Sequence, residues 1–146
     1  MKISIGSDHG GFDLKEKIIK HFEKDYEFLD RGTYSKDSCD YPIFAKAVAE
    51  DVSNKTADYG IVVCTNGVGV SIVANKIKGV RCALVLNKSM AEHAKLHNDA
   101  NVIALGEINQ TIDEAFEFVK TFIETPFSFE ERHARRVNEI KNMEEK

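Results

Sequence analysis

Two periods of apolar residues alternate along this chain. The uninterrupted apolar run at 59–64 reads as a central strand, the short segment 3–7, the β-rich run 80–86 and the segment 102–105 read as strands, and Tyr26–Leu29 reads as another, ended by Asp30-Arg31-Gly32. Between them, apolar residues recur every three or four positions, the spacing of one helical face. Phe12, Leu14, Ile18, Ile19 and Phe22 predict a helix over 12–22. Residues 33–41 are polar and irregular, and Pro42 fits the first turn of a helix whose face includes Phe44, Ala45, Val48, Ala49 and Val52. A short helical segment runs to Asn75, and Ser89–His97 is helical in character. Ile112, Ala115, Phe116, Val119 and Phe122 line a helix over 111–124 that Pro126 stops, and 129–143 reads as a charged tail helix.

The predicted order is βαβαβαβαβα plus a tail helix. Strands alternating with helices imply right-handed crossovers and a parallel sheet. The expected architecture is therefore a three-layer, Rossmann-like α/β fold: a five-stranded parallel sheet, helices on both faces and a C-terminal tail helix. A length of 146 residues suits one domain spanning 1–146. Open parallel sheets bind ligands at the carboxyl ends of their strands. Three polar clusters fall at strand ends: Asp8-His9, the stretch from Cys64 to Ser71, and His97-Asn98-Asp99 just before the fifth strand.

Composition narrows the classes of function. Twenty Lys+Arg against 24 Asp+Glu leave a net charge of −4, which disfavours a general nucleic-acid binder. No run of about 18 apolar residues is present, so no membrane helix is expected. Met1–Ile5 is strand-like rather than an apolar leader, so a cleaved secretion signal is not expected. Cys39, Cys64 and Cys82 are odd in number and widely spaced, which suits a reducing cytoplasm better than a disulfide framework or a zinc motif.

Each cluster has a structural and a chemical reading. Gly67-Val68-Gly69 follows a strand and opens a helix, either as a tight turn or as a place where backbone N–H groups face an anion. Cys64, beside that turn, is either a small buried hydrophobe or a thiol activated as base or nucleophile. Asp8 is either a helix cap or a ligand group. His97 is either a helix-end histidine or a proton carrier. Arg132 and Arg136, four apart, share a helical face; they either pair with nearby glutamates or hold a phosphate between them.

Together these clusters resemble one family, the type B ribose-5-phosphate isomerases and the related galactose-6-phosphate isomerase subunits. The resemblance runs through Gly6-Ser7-Asp8-His9-Gly10-Gly11-Phe12, Gly32-Thr33, Asp40-Tyr41-Pro42, Gly67-Val68-Gly69 with Ser71, Ala74-Asn75-Lys76, Gly79-Val80-Arg81, His97-Asn98-Asp99-Ala100-Asn101-Val102, Arg132-His133 and Arg136-Val137. It implies interconversion of an aldose phosphate and a ketose phosphate through a cis-enediolate, without metal or organic cofactor. By position, Cys64 resembles the group that moves the C2 proton and His97 the group that opens the sugar ring. The amides from Gly67 through Val68 and Gly69 to Ser71 resemble an oxyanion hole. Asp8 and Asn98 resemble groups that hold the sugar, and His9, Arg132 and Arg136 the phosphate site. The family builds its site between two subunits, which implies a homodimer or a dimer of dimers.

Three departures from the family pattern bear on the chemistry. The usual Cys-Gly-Thr-Gly turn is Cys64-Thr65-Asn66-Gly67 here, so an amide replaces a hydroxyl; Asn66 donates a hydrogen bond but does not relay a proton. Glu130-Glu131 stand in place of a usual Gly-Gly, and an arginine common after the fifth strand is missing from Gly106-Glu107-Ile108-Asn109. The expected activity is interconversion of ribose 5-phosphate and ribulose 5-phosphate. The alternatives are a six-carbon substrate (allose 6-phosphate or galactose 6-phosphate) or a sugar-phosphate-binding homologue without catalysis.

Overall fold

The computed structural model describes residues 1–145, so the expected span of 1–146 ends one residue outside it. The elements are β1 (Lys2–Ser7), α1 (Phe12–Phe22), β2 (Glu27–Asp30), α2 (Tyr41–Ser53), β3 (Tyr59–Cys64), α3 (Val68–Ala74), β4 (Cys82–Leu84), α4 (Lys88–Leu96), β5 (Val102–Gly106), α5 (Ile112–Glu124) and α6 (Glu131–Asn142). Single 3-10 turns lie at His9–Gly11 and Met143–Glu145. The strands form one sheet in the order β2-β1-β3-β5-β4, and every pairing is parallel.

Strand period sorts the core into two layers. Ile61 and Val63 of β3, Ile103 and Leu105 of β5, and Ile3 and Ile5 of β1 pack under α1, α4 and α5, around Leu14, Ile18, Val119 and Phe122. The alternate residues Val62 and Cys64, with Val102 and Ala104, face α2 and α3 through Val48, Val52, Val70 and Ala74. Cys64 therefore lies on the α2/α3 side because it is two residues beyond Val62. On that side, buried Ser4 donates to Asp51 Oδ2 at 2.7 Å, and Arg31 grips the same carboxylate with Nε at 2.6 Å and a terminal nitrogen at 2.8 Å.

Two boundaries differ from the sequence reading. The apolar run 80–86 yields only a three-residue strand, because β4 is the sheet edge and has one strand neighbour. Its outer backbone is satisfied by a side chain: Asn75 Nδ2 donates to Cys82 O at 2.9 Å, and Cys82 N donates to Asn75 Oδ1 at 2.8 Å. The tail helix begins at Glu131 rather than 129, because Phe129 sits at φ 57°, in the left-handed region that a helix does not admit.

The end of β1 is fixed by an ion pair underneath it. Lys15 is fully buried, with Nζ 2.9 Å from both Asp30 oxygens and 2.7 Å from Glu16. Asp30 Oδ1 also accepts from Gly32 N at 2.9 Å. Gly32 O in turn accepts from Ser7 N, and Ser7 O from Thr33 N, both at 2.7 Å. Without Asp30, the buried Lys15 ammonium keeps only the half-exposed Glu16 as counter-charge, and Gly32 loses its acceptor. Asp30→Ala should therefore lower unfolding free energy by about 2 kcal/mol, and Lys15→Met added to it should recover much of the loss. Urea denaturation checks this; a loss under about 1 kcal/mol for Asp30→Ala would contradict the role given to the pair.

Candidate active site at the carboxyl edge of the sheet

Chain direction changes between β1 and β3, since α1 leaves β1 toward β2 on one side and α2 returns from β2 over the other face to β3. Open sheets of this kind place ligands at that point. Ser7 is in register with Val63, so Asp8 and Cys64 emerge side by side, with Asp8 N 3.4 Å from Val63 O. A hollow of about 420 Å³ opens there, lined by Asp8, Tyr41, Cys64, Asn66, Gly69 and Ile72 among others.

The Cys64 turn already engages several groups expected to face a ligand. Cys64 is 6% exposed, and its Sγ accepts from the Gly67 N–H at 3.2 Å. Gly67 has φ 83°, a conformation that favours glycine. Asn66 Oδ1 accepts from Val68 N at 3.0 Å, so the Asn66 amide nitrogen is left for other partners. Ser71 donates its hydroxyl to Val68 O at 2.7 Å. Of the backbone donors from Gly67 to Ser71, those of Gly67, Val68 and Ser71 have partners within the chain, while the Gly69 and Val70 N–H groups have none among the described residues, and of these two residues Gly69 lines the hollow.

Asp8 is both a cap and a wall of the hollow. Its Oδ1 accepts from Gly10 N at 3.0 Å and Gly11 N at 3.2 Å, leaving Oδ2 for the hollow. Exposed His9 accepts at Nδ1 from Cys39 N at 3.2 Å, so the ring hydrogen is assigned to Nε2. Tyr41 was not among the residues singled out for chemistry, yet its ring lies over Gly69, where an added Cβ would come within 2.6 Å of it. An aromatic residue directly before a helix-starting proline is the only sequence signal for that placement.

His97-Asn98-Asp99 sits elsewhere, which corrects its grouping with the other two clusters. A helix that follows a parallel strand runs back along the sheet, so α4 ends at the amino edge, opposite Cys64. Length alone separates the edges, as the five residues of β5 span about 16 Å. His97 lies between two other imidazoles, with ring centroids 4.8 Å from His93 and 4.3 Å from His133. Ser128 Oγ is 2.7 Å from His133 Nδ1. Burial, then His97 and Arg132, hold His133 below its ordinary value near 6.5, against the opposing pull of Glu130. On α6, Arg135 pairs with Glu131 at 2.7 Å and Glu139 at 4.0 Å, whereas Arg132 reaches Glu130 only at 3.8 Å. Arg136 has no ion pair among the described residues, so the glutamates leave the Arg132–Arg136 face largely free. A second hollow of about 410 Å³ lies at this edge, with Arg81, Asn98 and Ile140 on its wall.

The remaining thiols are placed apart from this chemistry. Burial pushes the Cys82 thiol up to about 12, which keeps it protonated and inert at neutral pH. Cys39 lies in the loop beside His9, 3.9 Å from Nδ1. Among the described residues no group of His, Cys, Asp and Glu is arranged to hold a metal ion, and no helix is long and apolar enough to cross a membrane.

Residues 3–140 match a family described as Ribose/Galactose Isomerase. The chain is 40% identical over 140 residues to ribose-5-phosphate isomerase B of Mycolicibacterium paratuberculosis, covering 94% of this chain and 88% of that one. Among solved structures, it is similar to ribose-5-phosphate isomerase B of Clostridium thermocellum, with a TM-score of 0.96 and 46% identity over 99% of this chain and 98% of the other. It is also similar to that of Mycoplasma genitalium with bound ribulose-5-phosphate, with a TM-score of 0.94 and 38% identity over 99% and 97% of the two chains.

The depressed value of His133 has a thermodynamic sign. Below about pH 6.5 the unfolded chain takes up a proton at this position that the fold resists, so stability falls as pH drops through the window beneath 6.5. Urea midpoints at pH 7.5 and 5.5 should diverge more for the native chain than for His133→Gln. Equal pH sensitivity of the two proteins would contradict the assignment.

Proposed function

The chain belongs to the ribose/galactose isomerase family, and on that premise we propose that it interconverts ribose 5-phosphate and ribulose 5-phosphate. The observation that carries this reading is the Cys64 turn, where a thiol held by the Gly67 N–H shares one hollow with the unpartnered Gly69 N–H and with Asp8. Cys64 removes the proton from C2 of the open-chain sugar and returns it at C1, while the proton of the C2 hydroxyl passes to the C1 oxygen. Negative charge builds on the C1 and C2 oxygens in between. The Gly69 N–H and the Asn66 amide group stabilise it, as fixed donors do best where charge develops. Gly67, Val68 and Ser71 contribute by shaping the turn, since their N–H groups are already engaged. Asp8 Oδ2 accepts from sugar hydroxyls.

Apart from His9, which follows Asp8, the rest of the machinery lies at the far edge of the sheet, and the reading therefore includes a second copy of the chain. His97 and Asn98 of one copy meet the Cys64 hollow of the other, with His97 moving the proton that opens the ring. His9 Nε2–H, Arg132 and Arg136 bind the phosphate. Exposed apolar residues on the hollow's wall, Val68 and Ile72, suit coverage by another protein surface. Domain, dimer and site residues are parts of one proposal: a single domain that functions as a homodimer or dimer of dimers.

One feature bears on substrate choice. Exposed Ile108 lies after β5, in the stretch where relatives of the family commonly carry an arginine, so one cation fewer faces the phosphate. Turnover should be measured with ribose 5-phosphate, allose 6-phosphate and galactose 6-phosphate, and ribose 5-phosphate should be fastest. Cys64→Ala should lower turnover by about a hundredfold or more while substrate still binds. In deuterated water the native enzyme should exchange the C2 proton, as followed by NMR. A folded assembly that turns over none of the three sugars, or a Cys64→Ala variant that keeps most of its rate, would contradict the proposal.

A further inference from the structure

We propose that Asn109 is a positioning residue for the Cys64 turn, acting through the peptide that donates to the thiol. This rests on the reading of Cys64 given above. The segment after β5 holds three successive carbonyls of that turn. Glu107 N donates to Cys64 O at 3.0 Å and Ile108 N to Thr65 O at 3.2 Å. The third rung is not made by backbone: Asn109 Nδ2 donates to Asn66 O at 2.9 Å. The first two rungs survive any residue but proline, whereas the third exists only because position 109 carries a side-chain N–H.

The third rung matters because of which peptide it grips. Asn66 C=O and Gly67 N–H belong to one planar unit and point in opposite directions. Asn109 holds the oxygen end, and the nitrogen end donates to Cys64 Sγ at 3.2 Å. Fixing one end aims the other, and a hydrogen bond at the carbonyl polarises the N–H toward the sulfur. The geometry is tight, since a Cβ on Gly106 would lie 2.4 Å from Asn66 C and 2.4 Å from Asn109 Nδ2. Asn109 is itself set by its own N–H to Gly106 O at 3.1 Å, and Gln110 Nε2 holds the same oxygen at 2.8 Å. Asn109 lines no part of the Cys64 hollow, so it acts on the proton carrier without touching substrate.

Asn109→Asp keeps the shape and removes the donor; Asn109→Ala removes the side chain; Asn109→Gln restores a donor one methylene further out. Two readouts are taken on the intact protein after thermal melts show which variants fold: steady-state kinetics with ribose 5-phosphate, and the rate of iodoacetamide alkylation of the Cys64 peptide at pH 7.5 by mass spectrometry. Loss of this hydrogen bond to the turn should lower kcat and the alkylation rate about tenfold in Asn109→Asp and Asn109→Ala, with KM within twofold. Asn109→Gln should recover most of both. The proposal is overturned if the two rates stay at native level, if KM rises at unchanged kcat, or if Asn109→Gln is as impaired as Asn109→Ala. Absence of turnover in the native protein would count against the isomerase reading, and the alkylation rates would still decide the role of Asn109.

Discussion

In a parallel sheet every strand runs one way and every following helix must run back. That constraint decides where chemistry collects in this chain. Residues that end strands gather at the carboxyl edge, as Asp8 and Cys64 do through the pairing of Ser7 with Val63. Residues that end helices gather at the amino edge, as His97 does at the end of α4. No side chain is long enough to cancel a separation of about 16 Å along a strand. Under the proposed function, a thiol and an imidazole acting on one small sugar then come from two chains.

Within the carboxyl edge, function depends on which hydrogen bonds are already made. The turn after β3 satisfies most of its own donors, and that keeps it rigid. The Gly67 N–H goes to the thiol and the Val68 N–H to Asn66, which leaves the Gly69 N–H facing the hollow. A rigid donor set needs no reorganisation when charge appears on the substrate. The segment 107–109 clamps the turn from behind, and Tyr41 closes it from above by lying on Gly69. The amino edge uses a different device. Three imidazoles lie in tilted contact beside two arginines, and burial, then the neighbouring positive groups, hold His133 below its ordinary value.

Much of this was legible in the residues because strong periods survive folding. Phe12–Phe22 and Tyr59–Cys64 were read with their observed limits, since each shows a full period bounded by turn residues. β4 was overextended, because an apolar run does not reveal that its strand lies on an edge where Asn75 replaces a neighbour. Asp8 was open between cap and ligand; one oxygen caps while the other lines the hollow, a division that depends on Oδ positions rather than on residue type. His97 was grouped with Cys64 because strand ends were counted without asking which end. Asn109 and Tyr41 are quoted in motifs but are given no role there, for a common reason: each meets the turn through space, across 43 residues in the case of Asn109 and Asn66.

The central claim is that one site is assembled from opposite edges of two chains. It is tested most directly by mixing two inactive variants, Cys64→Ala and His97→Ala, by joint unfolding and refolding, and measuring turnover of ribose 5-phosphate. Random pairing makes half the dimers mixed, and each mixed dimer holds one site with both native groups, so activity should return to about a quarter of the native value. Activity no higher than that of the separate variants, in a mixture shown to contain mixed dimers, would contradict the account.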